Sequence, residues 1–396
     1  MRYIGIDIAS EVHTLAIVDE GGSVLLKATT FAESHEGYEK LLAVAGDPGG
    51  VLVAMEATGH YWQNVFAKLA AAGFRVALIN PLQTRRFAEA DLERTKTDAI
   101  DALGIARFAA AKRPPATPLT DEATEELREL VRFRDRSVQE LGDKVRQLHR
   151  LVDLGFPELT RHVRTLDSAL ATTILREYPT AKSFAGTKTR KKLAKLVYDG
   201  RHAVGEELAR ALCAEAERSV GAHHGPAYRL QVRCACEDID VLRQRIGSLD
   251  RDVRGALERH EVGTLLTTID GVGPTTAARL VAELGDIAAF GTIEALASYV
   301  GVVPALKHSG KRTPARAGLS PFGHGRLRAK LWMPTLTAVR RNPWLRAFYE
   351  RLLARGKLPK VALTAALRKL LAAVLSVAKN RRPFAPILPA PKEASP

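Results

Sequence analysis

Leu127, Val131, Arg134, Val138, Leu141, Val145, Leu148 and Val152 follow one another at spacings of four and three. The same rhythm runs through Tyr228, Val232, Ala235, Ile239, Leu242, Ile246, Leu249, Val253 and Ala256. A stripe of that period lines one side of a helix, so each stretch predicts a long helix with a coiled-coil signal, whose stripe must be covered by a partner. Two partnerships are open: the stretches pair with each other as an antiparallel arm, or each pairs across a dimer. Arg134 at a core position then marks a constraint of register or partner. Between them, residues 157–225 read as short helices with a basic stretch, Lys188-Thr189-Arg190-Lys191-Lys192, which is either solvated or in contact with RNA.

Before Pro114-Pro115 the pattern is different. Apolar runs at Tyr3 to Ala9, His13 to Asp19 and Ser23 to Thr30, separated by turns such as Glu20-Gly21-Gly22, predict a three-strand meander. A helix (Ser34 to Ala45), a strand (Val51 to Ala57), a second helix (Tyr61 to Ala72) and a strand (Arg75 to Asn80) follow, and Pro81 opens a further helix. That order makes a mixed sheet with helices on both faces. Asp7 and Glu56 lie on two of the strands. Asp98 and Asp101 lie three residues apart, and hence on one face, of a helix from Thr97 to Lys112. Burying even an unpaired neutral polar group costs roughly 2 to 7 kcal/mol, so carboxylates on apolar strands are seldom there for packing. Hard oxygen donors without Cys or His favour Mg²⁺ or Mn²⁺ over zinc, and two such ions roughly 3.5 to 4 Å apart stabilise the attacking and leaving oxygens of a phosphodiester displacement.

The net charge of +15 is unevenly placed. Residues 1–110 carry 10 Lys+Arg against 14 Asp+Glu, residues 111–300 carry 29 against 28, and residues 301–396 carry 20 against 2. A segment so basic repels itself unless a polyanion is its partner, and nucleic acid is the commonest. The same segment holds Trp332, Trp344, Phe348 and Tyr349 and a helical apolar period, so most of it is expected to fold; residues 384–396 read as a disordered Pro-rich tail. No charge-free apolar run reaches about 18 residues and the start passes straight into a strand pattern, which predicts a soluble, intracellular protein without a membrane span. Cys213, Cys234 and Cys236 give no disulfide framework. Zinc held by Cys234, Cys236, His223 and His224 fails because residues two apart on a helix point to nearly opposite sides.

Gly271-Val272-Gly273 between two helical patterns is the signature of a helix-hairpin-helix, in which glycines let backbone N–H groups reach a phosphate. Such hairpins grip nucleic-acid backbone without reading sequence. Candidate contacts there are Gly271, Gly273 and Thr275. Further along, Ser309 lies between Lys307-His308 and Gly310-Lys311-Arg312, cationic surroundings in which a phosphate could settle and an alkoxide be stabilised. Lys307, His308, Lys311, Arg312 and Arg316 are candidate nucleic-acid contacts, as are Arg326, Arg328 and Lys330. Ser320, in Gly318-Leu319-Ser320-Pro321, is the competing serine and reads as a turn residue.

Gly5-Ile6-Asp7, Met55-Glu56-Ala57-Thr58-Gly59 and Lys96-Thr97-Asp98-Ala99-Ile100-Asp101-Ala102 together resemble the DEDD-type, RuvC-like (RNase H-like) domain of insertion-sequence transposases, the family also described as bridge-RNA-guided recombinases. A second block is similar too: Gly271-Val272-Gly273, Tyr299-Val300-Gly301-Val302-Val303-Pro304, His308-Ser309-Gly310-Lys311 and Gly323-His324-Gly325-Arg326-Leu327-Arg328. Where relatives often carry an asparagine after the late glycine, this chain has His324. The resemblance implies that Asp7, Glu56, Asp98 and Asp101 are catalytic and bind the metal ions. It implies that Ser309 is the nucleophile of a transient phosphoserine link, and that one subunit's acids face another's serine in a homodimer or tetramer. It further implies a bacterial cytoplasmic, nucleoid-associated enzyme whose partners are double-stranded DNA and a structured non-coding guide RNA.

The fold expected is therefore α/β plus all-α. Residues 1–113 form a RuvC-like metal-binding domain with a mixed sheet. Residues 114–262 form a coiled-coil region for dimerisation and RNA binding. Residues 263–383 form a basic, mostly helical transposase domain with a helix-hairpin-helix and the nucleophilic serine. Competing readings are a junction nuclease in which water attacks, a helix-hairpin-helix DNA-binding protein without activity, and an actin-like ATPase. The last lacks its glycine, replaced by Ala9, and a second phosphate loop.

Overall fold

The computed structural model describes residues 1–57, 59–90, 97–186, 188–305 and 318–386. The chain divides into two units, Met1–Leu119 and Thr120–Pro396.

In the first unit, β1 (Arg2–Asp7), β2 (Val12–Val18) and β3 (Val24–Ala32) form an antiparallel meander, followed by α1 (His35–Ala45), β4 (Val51–Glu56), α2 (Trp62–Ala71), β5 (Arg75–Ile79), α3 (Pro81–Ala90) and α4 (Asp98–Lys112). The strand order is β3-β2-β1-β4-β5, with β1, β4 and β5 parallel and β1–β2 and β2–β3 antiparallel. This mixed sheet is consistent with a DEDD, RuvC-like domain. Side chains alternate across it, as period-two strands must. Ile4, Ile6, Val53 and Met55 pack on Leu41 of α1 and on Val65 and Leu69 of α2, while Tyr3, Leu52, Ala54 and Ala77 pack on Ile105, Ala106 and Ala109 of α4. Ser34 starts α1 by accepting a hydrogen bond from the Gly37 N–H, and Thr97 starts α4 by accepting from Ile100.

The second unit is helical. α5 (Glu122–Gly155) and α10 (Pro226–Glu258) flank α6 (Leu159–His162), α7 (Ala169–Glu177), α8 (Thr189–Ala194) and α9 (Glu206–Glu217). They are followed by α11 (Glu261–Leu266), α12 (Pro274–Leu284), α13 (Ile293–Val300), α14 (Gly325–Arg341), α15 (Pro343–Ala354) and α16 (Pro359–Asn380). The two heptad helices pair with each other, antiparallel, within one chain. Arg259 meets Glu126, Asp250 meets Arg134, Arg245 meets Glu140 and Asp238 meets Lys144, so one number falls as the other rises. Arg134, the polar intruder in the stripe, is thus an interhelical ion-pair partner. The stripe is not sealed by pairing alone. Near one end, Leu127, Val131, Val253 and Ala256 join a core built from α11 to α16. Near the other, Leu148, Val152, Val232 and Ile239 join a second core with Phe156, Ile174, Phe184 and Leu212 of the short-helix region.

One expectation needs correction. Phe384, placed by composition in the disordered tail, is docked: its ring lies 5.5 Å from that of Trp344 and its N–H donates to Thr268 Oγ1 at 2.8 Å. An aromatic side chain has enough apolar area to hold a Pro-rich segment locally. Among the described residues one helix, α16, with a mean hydropathy of 1.8, is long and apolar enough to cross a membrane. Its Leu363, Leu367, Leu370, Leu371 and Val374 instead belong to the helical core. On α10, Cys234 is exposed and Cys236 buried, as the helical spacing requires, and burial pushes the Cys236 thiol up to about 12.

Candidate active site

Asp7 ends β1 and Glu56 ends β4. These parallel neighbours pair through Ile6↔Met55, so the two acids follow one residue later at the same end of strands that run about 4.8 Å apart. Asp7 has the parity of Tyr3 and Glu56 that of Leu52 and Ala54, which puts both on the face covered by α4.

The position of α4 depends on Gly5. A Cβ at that residue would stand 2.2 Å from the Ala102 carbonyl oxygen and 2.3 Å from the Ala106 nitrogen, so the helix backbone rests directly on β1. The helix runs against the strand. At its C-terminus Arg113 reaches Glu20, just beyond Val18, which pairs with Tyr3 near the start of β1. The chain then returns along the start of β5, where the Thr117 N–H donates to Val76 O. The N-terminus of α4 therefore lies toward the Asp7 end. Asp98 and Asp101 occupy its first turn, where the helix dipole favours carboxylates. Asp98 precedes Ala102 by one turn and Asp101 precedes Ile105 by one turn, so both continue the sheet-facing side of α4 past its last apolar contact.

The topology thus sets the two strand-end acids and the first turn of α4 toward the same end of the sheet. Among the described residues no three His, Cys, Asp or Glu side chains converge closely enough to hold an ion as they stand. The donor chemistry suits a hard divalent cation, but the ligand set is open rather than closed.

Two side chains that hold the backbone or a carboxylate near these strand ends left no mark in the sequence pattern. Thr84, buried in the first turns of α3, has Oγ1 within hydrogen-bonding distance of Glu56 Oε1 and 3.0 Å from the Pro81 carbonyl, with one proton for either acceptor. His13, fully buried on β2, accepts from the Ala9 N–H at Nδ1 (3.2 Å), so its Nε2 proton faces Glu33 Oε2 at 2.6 Å. Glu33 in turn accepts from Asn64 Nδ2 at 2.8 Å. His13 thereby ties down the backbone two residues after Asp7. A hydroxyl in a first helical turn and a histidine in an apolar strand are ordinary features, and only the fold brings them here.

In the second unit, Ser309, Lys307, His308, Lys311, Arg312 and Arg316 lie outside the described residues. The chain on either side is pinned: Ala305 N–H donates to Gly318 O at 2.8 Å and Ser320 N–H to Val303 O at 2.9 Å. Ala305 and Gly318 are therefore held side by side. Arg328 braces that place, donating from Nη1 to Gly301 O at 2.9 Å and lying 3.5 Å from Ser320 O. Its guanidinium is engaged on backbone carbonyls, a different position from the phosphate contact its charge suggested. His324 caps α14, accepting from the Leu327 N–H at Nδ1, which puts the proton on Nε2, 3.2 Å from Glu283 Oε2. A histidine can thus do the capping work of an asparagine at this position.

The Gly271 turn joins α11 to α12, but its glycine serves packing inside the chain. Gly271 has φ +94°, and a Cβ there would lie 2.4 Å from the Ala338 Cα on α14. Gly273, by contrast, is exposed with open space around it at the start of α12, and Thr275 is half-buried two residues on. Arg326 and Lys330 stand half-exposed on α14.

A transposase family model of the IS110 DEDD type matches residues 4–157, and one described as transposase IS116/IS110/IS902 family matches residues 263–350. The chain is 28% identical over 388 residues to an insertion element IS110 uncharacterized 43.6 kDa protein of Streptomyces coelicolor, covering 96% of this chain and 94% of that one. It is 27% identical to a mini-circle putative transposase for IS117 from the same species, covering 98% of each. It is 24% identical to a pilin gene-inverting protein of Moraxella bovis, covering 96% of this chain and 97% of the relative.

Proposed function

Because the chain belongs to the IS110/IS116 family of insertion-sequence transposases and recombinases, carrying that family's domains toward both ends, we propose that it cuts and rejoins DNA strands at the ends and target of a bacterial insertion element. What supports this reading is the position of Asp7 and Glu56 at adjacent strand ends, with Asp98 and Asp101 in the first turn of the helix that covers that face. Mg²⁺ or Mn²⁺ bound to these carboxylates would supply neutralising charge for a phosphodiester displacement. Thr84 orients Glu56, and the Ala9–His13 hydrogen bond fixes the turn after Asp7. Ser309 Oγ loses its proton and forms an ester with the DNA phosphorus, and the bond to one DNA oxygen breaks as that oxygen departs with a proton. The reverse exchange, by a strand end from another site, rejoins the DNA and frees the serine.

In this reading Gly273, Thr275 and the cations flanking Ser309 hold the DNA backbone. An element-encoded RNA pairs with donor and target so that base pairing reads sequence. RNA guidance, the serine step and assembly into a dimer or tetramer rest on the family resemblance.

The test uses purified protein, divalent metal and duplexes carrying the element ends. Asp7→Asn and Glu56→Gln are expected to abolish cutting. Ser309→Ala is expected to abolish joining and the covalent protein–DNA adduct. Continued cutting by Ser309→Ala would instead identify water as the nucleophile of a junction nuclease. Cutting that survives loss of both acids would remove the acids from the chemistry. For RNA guidance, sequencing the co-purified RNA should return one species from the flanks of the gene.

A further inference from the structure

Asp135 lies on α5, and its side chain is only 4% exposed. Three helices send cations to it. Arg279 on α12, nine-tenths buried, donates from Nη2 to Oδ1 at 2.7 Å, and its Nε finds no partner. Arg326 and Lys330, one turn apart on α14, bring Nη2 to 3.6 Å and Nζ to 3.8 Å from Oδ2. Arg134, next along α5, has Nη1 3.9 Å from Oδ1 while its Nε bonds Asp250. Four cations thus face two carboxylates, an excess of two positive charges around a nearly sealed anion.

The distances divide these cations into two kinds. Arg279 is hydrogen-bonded and buried, so it forms a fixed floor. Arg326 and Lys330 lie beyond N–H···O bonding range to Asp135, which ends near 3.2 Å, so attraction holds them without a hydrogen bond to that carboxylate. Their side chains are 52% and 40% exposed and belong to one helix face, so they converge from the open side. A convergent Arg and Lys over a carboxylate neutralised by Arg279 form the donor set that a single phosphate takes.

We propose that Asp135 gathers Arg326 and Lys330 into a grip for one backbone phosphate of duplex DNA, with Arg279 fixing the carboxylate beneath them. Asp135 acts here as a positioning residue. The proposal rests on the family's action on DNA and not on the acids of the first unit or on Ser309.

The test is binding of the full-length protein to a short random-sequence duplex between about 50 and 200 mM salt, where each phosphate contact adds about 0.9 to the slope of log affinity against log salt. If both side chains hold one phosphate, Arg326→Gln or Lys330→Gln lowers the slope by about 0.9 and the double variant by no more. Across that salt range this amounts to a roughly 3.5-fold smaller loss of affinity than in the unaltered protein. Asp135→Asn is expected to give the same loss and to add nothing to the double variant. Since that change also strands Arg279, the two exposed positions on α14 decide the matter. An unchanged slope in the double variant would make the cluster a fold-holding ion network and overturn the proposal. A drop of about 1.8 would assign two separate phosphates and overturn the shared grip. Salt-independent binding by the unaltered protein would refute the DNA reading itself, an outcome distinct from both.

Discussion

Gly5 and Gly104 differ in a way that makes the placement of α4 measurable. Alanine at position 5 puts a Cβ 2.2 Å from one backbone atom of α4 and 2.3 Å from another, and ordinary contact begins near 3.4 Å, so the helix must retreat by about 1.2 Å. Backbone cannot turn aside as a side chain can. The cost should reach the upper end of the 1 to 3 kcal/mol typical of overpacking, about 3 kcal/mol, or a fall of roughly 12 °C in the midpoint of the first unit. The retreat also carries Asp98 and Asp101 away from Asp7 and Glu56, and a misplacement of about 1 Å can cost on the order of 100-fold in rate. Gly104, on the same helix, has open space where its Cβ would go. Alanine there removes the entropic penalty of a helical glycine and should stabilise by about 0.5 to 1 kcal/mol, a rise of roughly 2 to 4 °C. Thermal unfolding of the full chain followed by circular dichroism, with strand cleavage measured beside it, reads both effects. A Gly5→Ala protein as stable and active as its parent would refute the close seating of α4 and the alignment of acids that depends on it.

Glu283 sets a pH dependence in the second unit. The hydrogen bond from His324 outweighs burial and, with Arg132 Nη2 at 3.3 Å, holds its carboxyl at about 2, below the ordinary 4.5. A lowered carboxyl contributes stability above its unfolded value and loses it as pH falls, here between about 4.5 and 2, on the order of 3 kcal/mol in all. Glu283→Gln should therefore melt lower than the parent at neutral pH, and the gap should close on acidification through that window. Thr84→Val removes a hydrogen bond from Glu56 and should slow cleavage about tenfold while costing no more than about 2 kcal/mol of stability, read by cleavage rate and melting. Saturating Mg²⁺ should raise the melting midpoint of the parent protein and leave that of Asp7→Asn unmoved, because an ion that binds only the folded state stabilises it.

Periodicity and spacing alone revealed a large part of this protein. Apolar runs bounded by turns marked the five strands and long heptad stripes marked α5 and α10, because both patterns record which side chains one element must bury. The four acids stood out for the complementary reason: carboxylates at strand ends and in a first helical turn sit where packing has no use for them. Local pattern does not record which surfaces meet. The antiparallel pairing of α5 with α10 inside one chain, which decided between two open arrangements, appears only in contacts such as Arg134 with Asp250.

The same limit explains each residue whose role changed. Arg328 looked like a phosphate contact because charge is visible in a sequence, whereas the Gly301 carbonyl that receives it is 27 residues away along the chain. Gly271 read as an opening toward a ligand, and the absent side chain instead makes room for Ala338. Thr84 gains its role from α3 packing beside the end of β4, and His13 from Glu33 and Asn64 on the other face of the sheet. Asp135 collects its partners from α12 and α14, 144 or more positions away, and no spacing rule links such residues. Sequence determined the elements and the chemistry each one carries, since these follow from neighbours along the chain. Tertiary structure alone decided which polar groups face one another, since that depends on how close two backbones can come, as at Gly5.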